Sequence, residues 1–389
     1  MTPICLHNGT VMTGFAAMEH CAVLIEDGLV ADVFSARRFE QKHFAPSIKT
    51  IDVQGAYIAP GFIDTHIHGF GGYGTEDGST DSVIEMSRLL GGCGVSAFNP
   101  TLYPSEPEEM LQAVANITAA MGKEKGARIM GIHLEGPFLS PDRLGVQRPE
   151  TVKTVDIPFM EKLWEAAGGH IVNMTVAPEL KGMRELALFC IKKGIVLQAG
   201  HTDAKYENMV EGMQVGILHS THLFNAMSKL DHRNPNAVGT ILTHPEISCE
   251  IIADGFHVHP DLFKLLLRDK PIDKIILVTD GLKPTGQTEG PFFANGEEVV
   301  FQDGFFRRKS DGVIAGSGLT MIRGVKNLVS FGFSLEDAVK AASTNPAQVM
   351  RYKGKGTIIP GNDADLVVFD HNFTVLASLV GGDIKYNSL

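Results

Sequence analysis

The chain has 389 residues, of which 44% are apolar and 20% are charged, and this composition excludes a disordered or collagen-like protein. Its formal net charge of −11 argues against duplex DNA and anionic membrane surfaces as partners, because both bind cationic protein faces. The five cysteines form no CxxC pair, so neither a disulfide framework nor a thiolate zinc site is predicted.

The chain carries no recognisable export signal or membrane span. Its first residues, MTPICLHNGTVMTGF, lack a basic segment followed by an apolar one, and no run of about 20 apolar residues occurs. Together with the unpaired cysteines, this pattern predicts a cytoplasmic protein with no nucleic-acid or membrane partner.

Both ends of the chain are rich in short β-type runs. Residues 1–58 contain the runs CAVLIEDGLVADVFS and TIDVQGAYIAP, and residues 354–389 contain two similar runs separated by turn residues. We therefore predict one small β-sandwich domain that is built from both termini.

Between these ends, residues 59–353 alternate apolar strand-like runs with amphipathic helix-like stretches, which is typical of βα units around a parallel sheet. The eight runs, in chain order, are APGFIDTHIHG, GVSAFNPTL, RIMGIHLEG, IVNMTVAPE, IVLQAGHTD, ILHSTHLFN, SCEIIADGFHV and KIILVTDG. Eight strands close a TIM barrel, so the predicted fold class is α/β with a (β/α)8 barrel. The Gly-rich block 282–318 predicts a long loop after the eighth strand.

Polar residues cluster where these runs end, which is where barrel enzymes carry their catalytic groups. They are Asp64, His66, His68, Glu135, His201, His222, Asp254, His257 and Asp280. Because all of them fall at the same end of their strands, the pattern predicts an active site at one rim of the barrel.

The residue types at this rim suit a divalent metal ion. His66 and His68 are two residues apart on a predicted strand, so their side chains share a face and can bind one ion. Glu135, His201 and His222 supply two imidazoles and a carboxylate, a set that leaves an open position for catalysis. We predict one or two ions per subunit, with Zn²⁺ as the first choice and Fe²⁺, Mn²⁺ or Co²⁺ as alternatives.

Asp280 ends the apolar run KIILVTD just before a glycine. A carboxylate there can serve as an ion-pair partner, a metal ligand or a general base. A metal-dependent hydrolase needs a group that takes a proton from water and returns it to the leaving atom, and Asp280 is the candidate for that role.

Seven segments occur in order over nearly the whole chain. They are PGFIDTHIHG (60–69), HLEGPFLSPDRLG (133–145), AGHTDA (199–204), THLFNAM (221–227), DGFHV (254–258), VTDG (278–281) and AGSGLTM (315–321). With these segments the chain resembles the N-acetylglucosamine-6-phosphate deacetylase family of the amidohydrolase superfamily. The HxH string marks the superfamily, whereas HLEGPF, THLFNAM and AGSGLTM are specific to the deacetylases.

The resemblance implies hydrolysis of N-acetylglucosamine 6-phosphate to glucosamine 6-phosphate and acetate by a (β/α)8 barrel. It implies that Glu135, His201 and His222 hold the main metal ion, and that His66 and His68 can hold a second ion bridged by Glu135. The fourth run ends in TVAPE, without the lysine that bridges the metals in other branches of the superfamily, in agreement with the deacetylase branch.

The resemblance also implies how the substrate phosphate is bound. Arg233, donated by the neighbouring subunit of a homodimer, and His257 of the seventh strand match the phosphate-binding residues of the family. The backbone amides at Asn225 and Ala226 are expected to face the same phosphate.

Two further implications concern the acetyl group. Leu319 and Met321 are expected to line the acetyl pocket. The family usually has a histidine twelve residues after the metal glutamate that polarises the amide carbonyl, whereas this chain has Gln147 there. Gln147 is therefore assigned the role of stabilising the oxyanion, and Asp280 protonates the departing nitrogen.

Three other functions stay open. The enzyme could prefer N-acetylgalactosamine 6-phosphate, or it could be another amidohydrolase that acts on a non-phosphorylated amide. Arg233 and His257 argue against the latter, because such substrates lack a phosphate. A catalytically inactive sensor of sugar phosphates is the third alternative, and the intact Asp280 argues against it.

Overall fold

The computed structural model describes residues 2–42 and 44–389. In chain order the strands are β1 (Ile4–Met12), β2 (Ala17–Glu26), β3 (Leu29–Ser35), β4 (Lys49–Asp52), β5 (Tyr57–Pro60), β6 (Phe62–Ile67), β7 (Gly69–Phe70), β8 (Tyr73–Gly74), β9 (Val95–Leu102), β10 (Arg128–Ile129), β11 (Ile132–Glu135), β12 (Ile171–Val176), β13 (Val196–Ala199), β14 (His219–Ser220), β15 (Ser248–Ile252), β16 (Ile275–Val278), β17 (Phe292–Ala294), β18 (Glu297–Gln302), β19 (Phe305–Arg308), β20 (Ile314–Ser317), β21 (Leu366–Phe369), β22 (Val375–Val380) and β23 (Asp383–Asn387).

The described residues also form α-helices. They are α1 (Ala36–Gln41), α2 (Thr80–Leu90), α3 (Pro107–Ala120), α4 (Ile157–Ala166), α5 (Met183–Lys193), α6 (Tyr206–Gln214), α7 (Asn236–Thr243), α8 (Pro260–Asp269), α9 (Met321–Ser330), α10 (Leu335–Ala342) and α11 (Thr344–Val349). Within the described ranges, no helix is both long enough and apolar enough to cross a membrane.

Eight parallel strands form the barrel, and each falls within one of the eight predicted runs. The paired strands, in order, are β6, β9, β11, β12, β13, β14, β15 and β16. A parallel bridge between Ile67 and Gly281 closes the ring, and the Asp280 N–H donates to the His66 carbonyl at 2.9 Å beside it. The predicted (β/α)8 barrel is confirmed.

The barrel strands are apolar because helices cover the sheet from outside. Every residue of β9, β11 and β16 is buried, as expected for parallel strands with both faces covered. This packing holds the carboxyl ends of the strands at one rim.

Both termini contribute to the small domain, as predicted. Strand β5 pairs in parallel with β1 and antiparallel with β21, so the two ends of the chain share one eight-stranded sheet. Alternate residues of β1 enter different apolar clusters, with Leu6 in one and Cys5 in the other. The predicted boundary between residues 58 and 59 falls inside β5, which runs almost directly into barrel strand β6.

The long loop predicted at 282–318 is wrong over most of its length. Residues 292–317 contain the four-stranded antiparallel sheet β17–β20. Its Gly-containing pairs are hairpin turns: Asn295 and Gly296 have φ of 52° and 75°, and Asp303 and Gly304 have φ of 56° and 101°. Positive φ at both central residues matches the right-handed twist of hairpin strands, so these glycines connect short strands.

Candidate metal centre and active site

The carboxyl ends of the barrel strands bring the predicted rim residues together. Glu135 is the last residue of β11, and His66 lies near the end of β6. His201 and Asp280 follow β13 and β16 with φ of 45° and 48°, a left-handed conformation that is uncommon outside glycine. Backbone conformations of this kind concentrate at functional sites.

The Glu135 carboxylate is the centre of the first group. Its Oε1 lies 3.2 Å from Nε2 of His201 and 3.1 Å from Nε2 of His222. The two imidazole nitrogens are themselves 3.2 Å apart. Three buried donor atoms that converge in this way form a candidate metal site.

His66, His68 and Asp280 form the second group. The Nε2 atoms of the two histidines lie 3.6 and 3.5 Å from Asp280 Oδ1, and each lies 3.3 Å from an oxygen of Glu135. The carboxylate of Glu135 thus stands between both groups, as a bridging ligand would.

The donor set fits the implied divalent ions. The two groups offer four imidazoles and two carboxylates, which suits one or two ions of the zinc type. Among the described residues, Nε2 of His66 is buried without a hydrogen-bond partner. A buried imidazole nitrogen of this kind, directed at two carboxylates, is what a metal ligand requires.

Burial alone would raise the pKa of Glu135. The imidazoles of His66 and His201 outweigh that effect and hold the pKa of this carboxyl well below its usual range. Glu135 is therefore ionised at neutral pH, in the state that binds a metal ion.

Groups behind the ligands orient them, and the sequence analysis missed several of these groups. Nδ1 of His201 donates to the Arg143 carbonyl at 3.0 Å, which leaves Nε2 free to bind an ion. The ring of Tyr103 stacks on His68 with centroids 3.7 Å apart and an interplanar angle of 3°. Tyr103 comes directly after β9, so its place at the rim was the available signal.

A cavity of about 210 Å³ opens over the metal ligands. Its lining residues are His68, Tyr103, Glu135, Gly145, Val146, Gln147, His201, His222, Asn225, Ala226, His257, Asp280 and residues 313–316. A larger cavity of about 540 Å³ shares only Tyr103 with it and holds none of the candidate metal ligands. The smaller cavity is therefore the candidate active site.

Gln147 lies directly against the metal ligands. It is 2% exposed, and its Nε2 donates to Oε2 of Glu135 at 2.7 Å. Gln147 therefore lies beside the candidate metal ligands, with its amide bonded to the carboxylate that both groups share.

His257 lines the cavity and is held from behind by Asp254. Its Nδ1 lies 2.6 Å from Oδ2 of Asp254, whose Oδ1 accepts the backbone N–H groups of Phe256 and His257 at 2.8 and 2.9 Å. Because Nδ1 faces the carboxylate, Nε2 is the ring nitrogen that remains for a ligand.

The structure differs from the expectation for Asn225. Its backbone N–H donates to the His222 carbonyl at 3.0 Å, and its side-chain Nδ2 donates to the His222 and Leu223 carbonyls at 3.2 Å each. The backbone and side-chain amides of Asn225 are therefore engaged in the turn, although the residue lines the cavity. The turn positions Ala226, which has a φ of 49° and lines the cavity.

Three of the predicted substrate-binding residues lie outside the cavity wall of the described chain. Leu319 and Met321 are 2% and 0% exposed and belong to the main apolar core, because Met321 begins α9 and that helix packs against the barrel. The wall expected from them is formed by residues 313–316. Arg233 is exposed in the loop before α7.

The barrel and its rim of histidines and carboxylates define a class of hydrolase, and the comparisons agree with it. The amidohydrolase family matches residues 57–385, and the chain belongs to this family. Over 385 residues it is 34% identical to N-acetylglucosamine-6-phosphate deacetylase of Bacillus subtilis (strain 168), covering 97% of this chain and 96% of the relative.

Two further relatives are similar along their whole length. N-acetylgalactosamine-6-phosphate deacetylase of Shewanella sp. (strain ANA-3) is 31% identical, with 97% of this chain and 95% of the relative covered. The structure of N-acetyl-D-glucosamine-6-phosphate deacetylase from Mycobacterium smegmatis in complex with N-acetyl-D-glucosamine-6-phosphate is similar with a TM-score of 0.91 and 27% identity, covering 100% of both chains.

Proposed function

We propose that this chain hydrolyses the acetamide of N-acetylglucosamine 6-phosphate to glucosamine 6-phosphate and acetate. The observation that carries the proposal is the meeting of two groups of metal-ligating residues on Glu135, at the floor of a cavity that Asp280 and His257 also line. The similarity to named deacetylases over the whole chain supports the same reaction.

Glu135, His201 and His222 hold one divalent ion in this proposal, and His66 and His68 hold a second. An ion bound there supplies Lewis acidity and makes water acidic enough to act as a nucleophile near neutral pH. Zn²⁺ is the proposed ion, and Fe²⁺, Mn²⁺ and Co²⁺ are alternatives with the same ligand preferences.

Asp280 is the proposed general base and acid. Its side chain is 13% exposed and lines the cavity, and its Oδ1 lies 3.6 and 3.5 Å from Nε2 of His66 and His68. From that position it takes the proton of the attacking water and returns it to the amine nitrogen as the C–N bond breaks. Gln147 offers its second amide N–H to the oxygen that becomes negative during attack.

In this proposal the phosphate is bound by two groups of the cavity wall. His257 presents Nε2, and the turn that ends in Ala226 presents a backbone N–H. One imidazole and one amide do not balance a dianion, so we assign Arg233 of a second copy of the chain to complete the site. The exposed position of Arg233 supports a role in trans, in a homodimer.

The test is the release of acetate from purified protein. N-acetylglucosamine 6-phosphate, its galactosamine epimer and unphosphorylated N-acetylglucosamine are compared, and metal content is determined on the same sample. We expect turnover of a 6-phosphate only, in a sample that contains metal. Preference for the epimer would change the assigned sugar, and absence of turnover with all three would contradict the proposal. A cytoplasmic location remains a prediction that cell fractionation can check.

A further inference from the structure

A buried carboxylate lies beneath the metal centre, inside the barrel. Glu250 is in β15 and is 0% exposed. Its Oε1 accepts from the Thr65 hydroxyl at 3.2 Å, and its Oε2 accepts from the Thr221 hydroxyl at 2.9 Å and from Nε2 of Gln198 at 3.4 Å. Oε2 also lies 3.0 Å from Nδ1 of His66. These neighbours can all act as donors, so the group at position 250 functions as an acceptor.

We propose that Glu250 is a positioning residue that fixes the tautomer of His66 and thereby builds the second metal site. The inference rests on the proposed metal-dependent function. With the proton on Nδ1 and donated to Glu250, the lone pair of His66 is on Nε2, the nitrogen that faces Glu135 and Asp280. An imidazole binds a metal ion through the nitrogen that lacks a proton.

The hydroxyl of Thr221 explains why a carboxylate is needed at position 250. Its hydroxyl lies 3.0 Å from Nδ1 of His66 and could donate to it, which would leave the proton on Nε2 and block metal binding. A hydroxyl has one hydrogen, and Oε2 of Glu250 competes for it at 2.9 Å. Glu250 therefore accepts hydrogen bonds from the Thr221 hydroxyl and from the Nδ1–H of His66. This arrangement excludes the tautomer of His66 that carries its proton on Nε2.

The effect of Glu250 is confined to one of the two ligand groups. In the other group, Nδ1 of His201 donates to a backbone carbonyl, an acceptor that no side-chain substitution removes. A carboxylate acceptor raises the basicity of the imidazole more than a carbonyl does. Loss of the charge at position 250 is therefore expected to weaken the His66 ion and to spare the ion held by Glu135, His201 and His222.

The experiment titrates chelator-treated full-length protein with Co²⁺ and follows the d–d absorption band in competition with a chelator. We expect two ions in the wild type. In Glu250→Gln we expect the affinity for the ion at His66 and His68 to fall about 10- to 100-fold, the range for loss of a partner behind a metal ligand. The affinity for the ion at Glu135, His201 and His222 should not change. If Glu250→Gln does not fold, Glu250→Asp takes its place in the titration, because it keeps the negative charge but holds it farther from Nδ1 of His66.

Thr65→Val is the matched control, because it removes a hydrogen bond to Oε1 and leaves the contact between Oε2 and His66 intact. We expect both Co²⁺ affinities to stay at their wild-type values. Equal losses in Thr65→Val and Glu250→Gln, wild-type affinities in Glu250→Gln, or a wild type whose metal binding is indifferent to His66→Ala would overturn the inference. Acetate release is assayed separately, so a protein that binds Co²⁺ as expected without hydrolysing the sugar phosphate contradicts only the proposed function.

Discussion

The amide nitrogen of Gln147 donates to Oε2 of Glu135 over 2.7 Å, which joins Gln147 to the carboxylate shared by both groups of candidate metal ligands. An amide has two N–H groups, so one remains for the substrate. It is neutral at every pH, whereas a protonated histidine at this position would offer a charged donor.

The first prediction follows from this contact. Gln147→Ala should lower kcat by about 10²–10³, the usual cost of removing one oxyanion donor, with little change in KM. Steady-state kinetics of Gln147→Ala and Gln147→His on both epimeric 6-phosphates provides the measurement. A raised KM with an unchanged kcat would show that Gln147 contacts a ring hydroxyl instead.

Asp280→Asn tests the proton transfers. The substitution keeps the shape of the side chain and removes its basicity, so kcat should fall by at least about 10²–10⁴ while fold and metal content persist. Turnover by steady-state kinetics, fold by circular dichroism and metal content by elemental analysis are measured on the same preparation. Retention of more than roughly a tenth of wild-type turnover would remove Asp280 from the role of base.

Glu135→Ala and His66→Ala separate the two metal positions. Glu135 touches both ligand groups, so its loss should remove activity and all bound metal. His66 belongs to one group only, and its loss should affect only the second ion. Elemental analysis of the two variants gives the answer, and equal metal loss would mean that the ligands are wrongly divided.

The pairing of Asp254 with His257 predicts a split between binding and chemistry. Asp254→Asn weakens the bond that orients His257 toward the cavity, so KM for the 6-phosphate should rise while kcat changes little. Glu211→Gln, at a helix residue remote from this cavity, is the control and should leave both constants unchanged. A fall in kcat at unchanged KM would contradict phosphate binding by His257.

The carboxyl group of Asp254 also predicts how the stability of the fold depends on pH. Burial raises the pKa of Asp254, but the hydrogen bond and charge of His257 outweigh it, so the pKa lies below its ordinary value. A lowered folded-state pKa stabilises the fold above the unfolded value of about 3.9, and this contribution is lost as pH falls through the folded value. Asp254→Asn should therefore melt earlier than wild type at neutral pH, with a difference that shrinks in acid. If the melting temperatures of Asp254→Asn and wild type differ equally in acid and at neutral pH, the loss of stability comes from packing and not from the charge of Asp254.

Subunit mixing tests Arg233. Asp280→Asn and Arg233→Ala homodimers each carry one defect per site, whereas a mixed dimer has one site with both defects and one with neither. Activity should recover when the two variants exchange subunits. Proven exchange without recovery would place Arg233 outside the neighbouring site.

The barrel and its rim were predictable because burial on both faces leaves an unmistakable apolar run for each strand, and because strand ends must meet at one rim. Position along a strand does not reveal which N–H groups form hydrogen bonds within a turn, so the bond from the Asn225 N–H to the His222 carbonyl could not be predicted. The strands β17–β20 have only three to six residues each and are joined by Gly-containing turns, so this segment resembles a loop in sequence and the sheet was missed. The sequence shows Glu250 as a carboxylate inside the apolar run SCEII. Its role could not be predicted from that position alone, because the argument depends on its contact with His66 in the folded chain.

The pairing of β5 with β21 has a consequence for biosynthesis. Pro60 pairs with Leu366, a residue synthesised roughly 300 positions later, so this edge of β5 has no partner until β21 has been synthesised. An unpaired strand edge is a template for association with other chains. A nascent chain arrested before residue 366 would therefore expose this unpaired strand edge even after its barrel had closed, and pairing with β21 removes that site of association.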